Sequence, residues 1–269
     1  MLFDTHCHLD VPQFDPDRDQ VIAQARDAGV SRILVPAIHA AGWKGLLHLC
    51  YQEPGLFPAL GLHPVFMAHH QIRDLLELEH MIASVHPVAV GEIGLDFFLS
   101  DLDRVQQQKL FEQQLELANH AKLPVVLHAR KSHDQVLVCL RRNRIKGGIV
   151  HAFSGSIQQA HQYLDLGFKL GFGGMLTFER SSRLRTLAKN LPLGALVLET
   201  DAPDLTVAAH QGERNSPSYL PDVLLALAQV RGQDPELLAA ETSRNALAII
   251  DIETWERARS RPETPRLGE

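Results

Sequence analysis

Apolar residues along this chain gather in short runs, and each run is followed by a stretch where they recur at helical spacing. The runs at 2–8 (LFDTHCH), 32–38 (RILVPAI), 56–63 (LFPALGLH), 87–94 (PVAVGEIG), 124–130 (PVVLHAR), 147–153 (GGIVHAF), 169–176 (KLGFGGML) and 196–202 (LVLETDA) predict eight strands. Several are nearly continuous Val, Ile and Leu, the pattern of a parallel strand buried on both faces. Helical spacing covers 17–28, 71–84, 103–122, 132–144, 156–166, 181–190, 219–231 and 235–249. Gly29, Gly55, Gly167 and Gly194 stand where helices should stop, and Asp15-Pro16 and Asp234-Pro235 where they should start.

Alternating strands and helices build a parallel sheet with right-handed crossovers, and eight is the number that closes a (β/α)8 TIM barrel. The alternative is an open doubly wound sheet, but no GxGxxG follows the first strand. The 269 residues suit one barrel domain over 1–257, with a disordered tail over 258–269 that carries three Arg and two Pro.

Composition narrows the function. With 45% hydrophobic and 22% charged residues the chain has ample material for a core, which excludes disorder as its main state. No apolar run approaches a membrane span of about 18 residues. The start, MLFDTH, lacks the basic and apolar stretches of a signal peptide, and Cys7, Cys50 and Cys139 are far apart and odd in number. A reducing cytoplasm is the expected location. The net charge of −6 argues against a broad basic surface for duplex DNA or anionic lipid. No membrane and no obligate protein partner are implied.

The 15 His residues acquire meaning from their positions. His6 and His8 close the first strand, Glu92 lies late in the fourth, His128 in the fifth, His151 in the sixth and Asp201 in the eighth. In a barrel all six converge on the C-terminal mouth. Buried imidazoles and carboxylates in one place are costly unless paired or metal-bound, and this set suits Zn2+ or Mn2+, with Mg2+ a further option. Six ligands exceed the needs of one tetrahedral ion, and a carboxylate shared by two divalent ions accounts for the number. His63 ends the third strand and either reaches the same mouth, as a substrate-binding or proton-shuttling group, or packs. Arg130 shares a strand face with His128 and suits phosphate, or else an ion pair at the rim. Ser154-Gly155-Ser156 offers backbone N–H groups to an anion or caps a helix. Arg214 and Asn215 lie in a loop positioned to cover the pocket, and His69-His70 is expected on the solvated surface.

Seven stretches resemble the TatD family of metal-dependent hydrolases. They are DTHCHLD at 4–10, ALGLHP at 59–64, VGEIGLDFF at 90–98, PVVLHAR at 124–130, VHAFSGS at 150–156, LGFGGMLTF at 170–178 and LETDAPDL at 198–205. They run in order over residues 1 to about 250. The resemblance implies a barrel of the metallo-dependent hydrolase type, phosphoester hydrolysis and, in some members, DNase activity. Its motif residues fall on His6, His8, Glu92, His128, His151 and Asp201. Phe97 and Phe98 stand where the members best known as nucleases tend to carry Tyr after GLD, and the stretch after ETDAP is extended. Both features look like the YjjV-type subgroup, so the resemblance supports the chemistry better than it supports DNA as substrate.

The expected enzyme is a phosphoesterase that uses a water activated by two divalent ions, possible DNA substrates being single-stranded ends cut in the manner of a 3′–5′ exonuclease. One ion is assigned to His6, His8, Glu92 and Asp201 and the other to Glu92, His128 and His151, with Asp201 and Glu92 catalytic and His63 and Arg130 contacting substrate. The alternatives are an amidohydrolase acting on amides or lactones, and a non-catalytic metal-binding scaffold. Many of the former bridge their metals with a modified Lys on strand four, where this chain has Glu92.

Overall fold

The apolar runs form eight parallel strands in ring order: β1 (Leu2–Asp4), β2 (Val30–Pro36), β3 (Leu56–Leu60), β4 (Ala89–Asp96), β5 (Val125–Arg130), β6 (Gly148–Val150), β7 (Phe168–Phe172) and β8 (Leu196–Leu198). In this computed structural model, which describes residues 1–145 and 147–260, each strand pairs with the next, giving the TIM barrel. Leu34, Leu60, Val90, Val126, Ile149, Leu170 and Val197 are fully buried, one from each of β2 to β8.

The helices are α1 (Arg18–Asp27), α2 (Trp43–Gln52), α3 (Ile72–Val85), α4 (Arg104–Ala121), α5 (His133–Arg142), α6 (Ile157–Asp165), α7 (Ser182–Asn190), α8 (Leu220–Arg231), α9 (Pro235–Leu247) and α10 (Ile252–Arg259). Helix α2 is absent from the expected set, although its buried face of Trp43, Leu46, Leu47 and Cys50 keeps helical spacing. Gly45 lowers the local helix propensity and masks it. Helix α1 starts three residues after Asp15, with Asp17 at its N-cap. At Asp234-Pro235 the expectation holds, the Asp234 carboxylate accepting from the Glu236 and Leu237 amides. Gly29, Gly55 and Gly167 adopt φ of 85°, 87° and 83°, whereas Gly194 lies inside the 3-10 turn Leu193–Ala195. The expected tail begins inside α10, which runs to Arg259, and 261–269 lie outside the described residues.

Strands β1 and β8 are short, and the chain just beyond them completes the ring. Thr5 N donates to Leu198 O (3.0 Å), Asp201 N to His6 O (2.8 Å) and His8 N to Ala202 O (2.8 Å). The buried Asp4 carboxylate accepts from Thr200 N and Oγ1 at 3.0 and 2.6 Å. This seam sets His6, His8 and Asp201 side by side although almost two hundred residues separate them in the chain. None of the three is in a regular strand, so strand alternation is not what aligns them.

Candidate metal centre

Two clusters share one carboxylate. In the first, His6 Nε2 and His8 Nε2 are 3.2 Å apart, 3.1 and 3.5 Å from Glu92 Oε2, and each 3.7 Å from Asp201 Oδ1. His8 Nδ1 bonds Pro36 O at 3.0 Å, which puts its proton there and leaves Nε2 a lone pair. In the second, Glu92 Oε1 lies 3.0 Å from His128 Nδ1 and 3.3 Å from His63 Nε2. These donors are nearly all electron-pair donors aimed at one another, an arrangement that a cation or shared protons must hold together. The residues therefore fit divalent metal, and the sets His6–His8–Glu92 and His63–Glu92–His128 each have the closeness of a ligand group.

Local structure explains the aim of each side chain. On β4, paired in register with β5 so that Gly94 faces His128, a Cβ at Gly94 would sit 2.0 Å from His128 O, and only glycine lets the strands approach so closely. That approach brings Asp96 Oδ2 within 3.0 Å of His128 Nε2. Asp96 Oδ1 accepts from Phe98 N at 2.9 Å, which locks the carboxylate and so the ring. Glu199 stands beside His151 as an ion-pair partner: its Oε1 lies 3.0 Å from His151 Nδ1 and accepts from Ala152 N at 2.6 Å. A side chain at Gly171 would overlap it, the Cβ falling 2.1 Å from Glu199 Oε2. His151 stacks on His6, with centroids 3.6 Å apart, and directs Nε2 to Asp201 Oδ2 at 3.6 Å. The structure thus sets His63 beside Glu92 and His128, in the place the sequence reading gives to His151, and holds His151 against His6, Asp201 and Glu199.

Burial and neighbours set the charge states. Burial would raise the Glu92 carboxyl, but His63, His6 and His128 pull it well below its usual range. Asp201 is lowered against its burial by His151 and His6. Burial lowers His6, helped by His151. His151 is raised despite burial by Glu199 and Asp201, and His128 despite burial by Asp96 and Glu92. Burial drives His63 down to about 4. His63 Nδ1 accepts from Val65 N at 3.1 Å, so the neutral ring carries its proton on Nε2 and faces the cluster as a donor.

Sequence reasoning misses Asp96 and Glu199. Asp96 lies four residues after Glu92 along β4, and Glu199 two before Asp201, near the motif residues in the chain but marked by no periodicity. Contacts bear on the alternatives that the sequence leaves open. Arg130 lines the mouth cavity and lies 3.8 Å over the Phe98 ring, with no ion pair among the described residues. Ser156 caps α6 in a reciprocal pair with Gln159, so its amide is already used. Arg214 clamps Asp17 at 2.9 and 2.6 Å and Asn215 is buried on Thr200 O and Asp204 O, which ties their loop down beside α1. His70, expected at the surface with His69, is half-buried and donates to His63 O at 2.8 Å.

Asp96→Asn keeps the Phe98 contact only by turning its amide nitrogen onto the His128 Nε2–H, donor against donor. A metal titration should show affinity about 10- to 100-fold weaker, with the fold unchanged by circular dichroism.

A profile described as "TatD related DNase" matches residues 3–251. The chain belongs to this family. Among its relatives is the metal-dependent hydrolase YjjV of Escherichia coli, 39% identical over 252 residues, 93% of this chain and 97% of that one. The crystal structure of YjjV superposes with a TM-score of 0.89 at 38% identity, over 93% of this chain and 98% of that one. The 3′-5′ ssDNA/RNA exonuclease TatD of Cronobacter sakazakii is 34% identical over 256 residues, 93% of this chain and 97% of that one. The TatD-family chain is a metal-dependent hydrolase, and the His and carboxylate clusters that could hold metal lie at the C-terminal mouth of the barrel. Among the described residues no helix is long and apolar enough to cross a membrane.

Proposed function

We propose that this protein hydrolyses phosphoester bonds with two divalent cations, Zn2+ or Mn2+ above Mg2+, and that single-stranded nucleic-acid ends are among its substrates. The observation that carries the reading is Glu92, which turns one oxygen to His6 and His8 and the other to His128. The exonuclease named among its relatives supports nucleic acid as the substrate class. The ions would be held by His6, His8, Glu92 and Asp201, and by Glu92 and His128 with His151 completing the second set. Bound there, divalent cations acidify a water and stabilise charge on phosphoryl oxygens.

The chain's own groups do the rest. Asp201, ionised and flanked by His6, His8 and His151, takes the water's proton as the new P–O bond forms and the bond to the leaving group breaks. His63, neutral and protonated at Nε2, donates to a phosphoryl oxygen. Arg130, its plane held against Phe98, offers two parallel N–H groups to the same phosphate, which lysine cannot reproduce. Arg130→Lys should lower kcat/KM for the best phosphoester by roughly 5- to 150-fold, about 1–3 kcal/mol, with bound metal and Tm unchanged. Testing the metal-supplemented protein on phosphodiester, phosphomonoester and amide substrates, including single-stranded DNA with defined ends, decides the function. Turnover of amides alone would overturn it.

A further inference from the structure

The cavity over the metal centre is about 960 Å³, far more than one phosphate fills, and its two sides differ in chemistry. Strands β3 and β7 stand four apart in a ring of eight, so the segments that follow them face each other across the mouth. On the first side lie Val65 and Phe66 after β3, with Ile38 after β2. Phe66 sets its ring edge-on to His63, with centroids 5.7 Å apart. On the other side lie Arg180, just before α7, and Arg183, in its first turn. Arg180 packs its guanidinium 5.0 Å over the Phe178 ring, which leaves its N–H edges free. Neither arginine has a carboxylate partner among the described residues, and both are exposed on the cavity wall. Two unneutralised guanidinium groups on one wall of a cavity, away from the ligand clusters, are an anion-binding arrangement.

Building on the phosphoester reading, the geometry points to a second anion subsite at Arg180 and Arg183, which takes a phosphate other than the one being cleaved while the apolar wall of Ile38, Val65 and Phe66 takes a ring or base. The substrate class is then a phosphoester that carries a second phosphate, as a nucleotide chain does and a simple phosphomonoester does not.

Two chromogenic esters differ by that one remote phosphate: the 4-nitrophenyl ester of thymidine 5′-phosphate and its 3′-phosphorylated counterpart. On the metal-loaded protein the extra phosphate should lower KM about 10-fold. In Arg180→Gln/Arg183→Gln the ratio of the two KM values should fall to about one, and in Arg180→Lys/Arg183→Lys it should lie between. A wild-type ratio already near one, or a ratio that survives in the glutamine variant, overturns the inference. Calorimetric titration of thymidine 3′,5′-bisphosphate against thymidine 5′-phosphate makes the same comparison with no turnover. An arginine-dependent preference for the bisphosphate without cleavage of either ester would overturn the phosphoester reading alone. Cleavage of both esters without preference would overturn the second subsite alone.

Discussion

Glu92→Gln is expected to lower turnover by about 10³-fold and, for the two-ion site proposed above, to leave one bound ion or fewer per chain. The reason is the division of its two oxygens, Oε2 toward His6 and His8 and Oε1 toward His128 and His63. A glutamine keeps one oxygen, so whichever way the amide turns, one cluster faces an N–H2 group that repels a cation. The side chain is almost fully buried, which leaves water little access to compensate. Elemental analysis of the dialysed variant, with kcat on the same preparation, checks both halves of the expectation. Two ions per chain at wild-type turnover would show that Glu92 bridges nothing.

Asp201→Asn should retain the fold and lose about 10²- to 10⁴-fold in kcat. The backbone at Asp201 has φ of 60°, a region that Asn and Asp tolerate better than other side-bearing residues. Its amide still donates to His6 O, so the seam survives. What disappears is the anionic oxygen that, in the proposed mechanism, takes the water's proton, and one donor to the His6–His8 cluster. Near-normal kcat would leave Asp201 as a ligand alone. A loss of Tm comparable to the loss of rate would assign it to the seam instead.

Much of this arrangement is legible in the sequence because barrel strands announce themselves. Runs such as PVVLHAR end in a polar residue, and a parallel barrel delivers every strand end to one mouth. That is enough to collect His6, His8, Glu92, His128, His151 and Asp201. Which of them touch is another matter, set by register and by loops. The proximity of His63 to Glu92 depends on how the chain leaves β3. The roles of Asp96 and Glu199 depend on close approaches at Gly94 and Gly171, which no periodicity reveals. Arg214 looks free in the sequence because its partner, Asp17, is some two hundred residues distant.

The seam between β1 and β8 also orders events in time. His6 and His8 leave the ribosome long before Asp201, which emerges only with the eighth strand. A nascent chain can therefore build most of its barrel without a complete first ligand set. The Asp4–Thr200 and His6–Asp201 bonds form only when the two ends of the sheet meet. They join residues nearly two hundred positions apart, and contacts of such separation slow folding. Metal bound across that junction stabilises only the closed ring, by mass action. It acts as a clasp on the last step of folding, and chains truncated before β8 should not retain it.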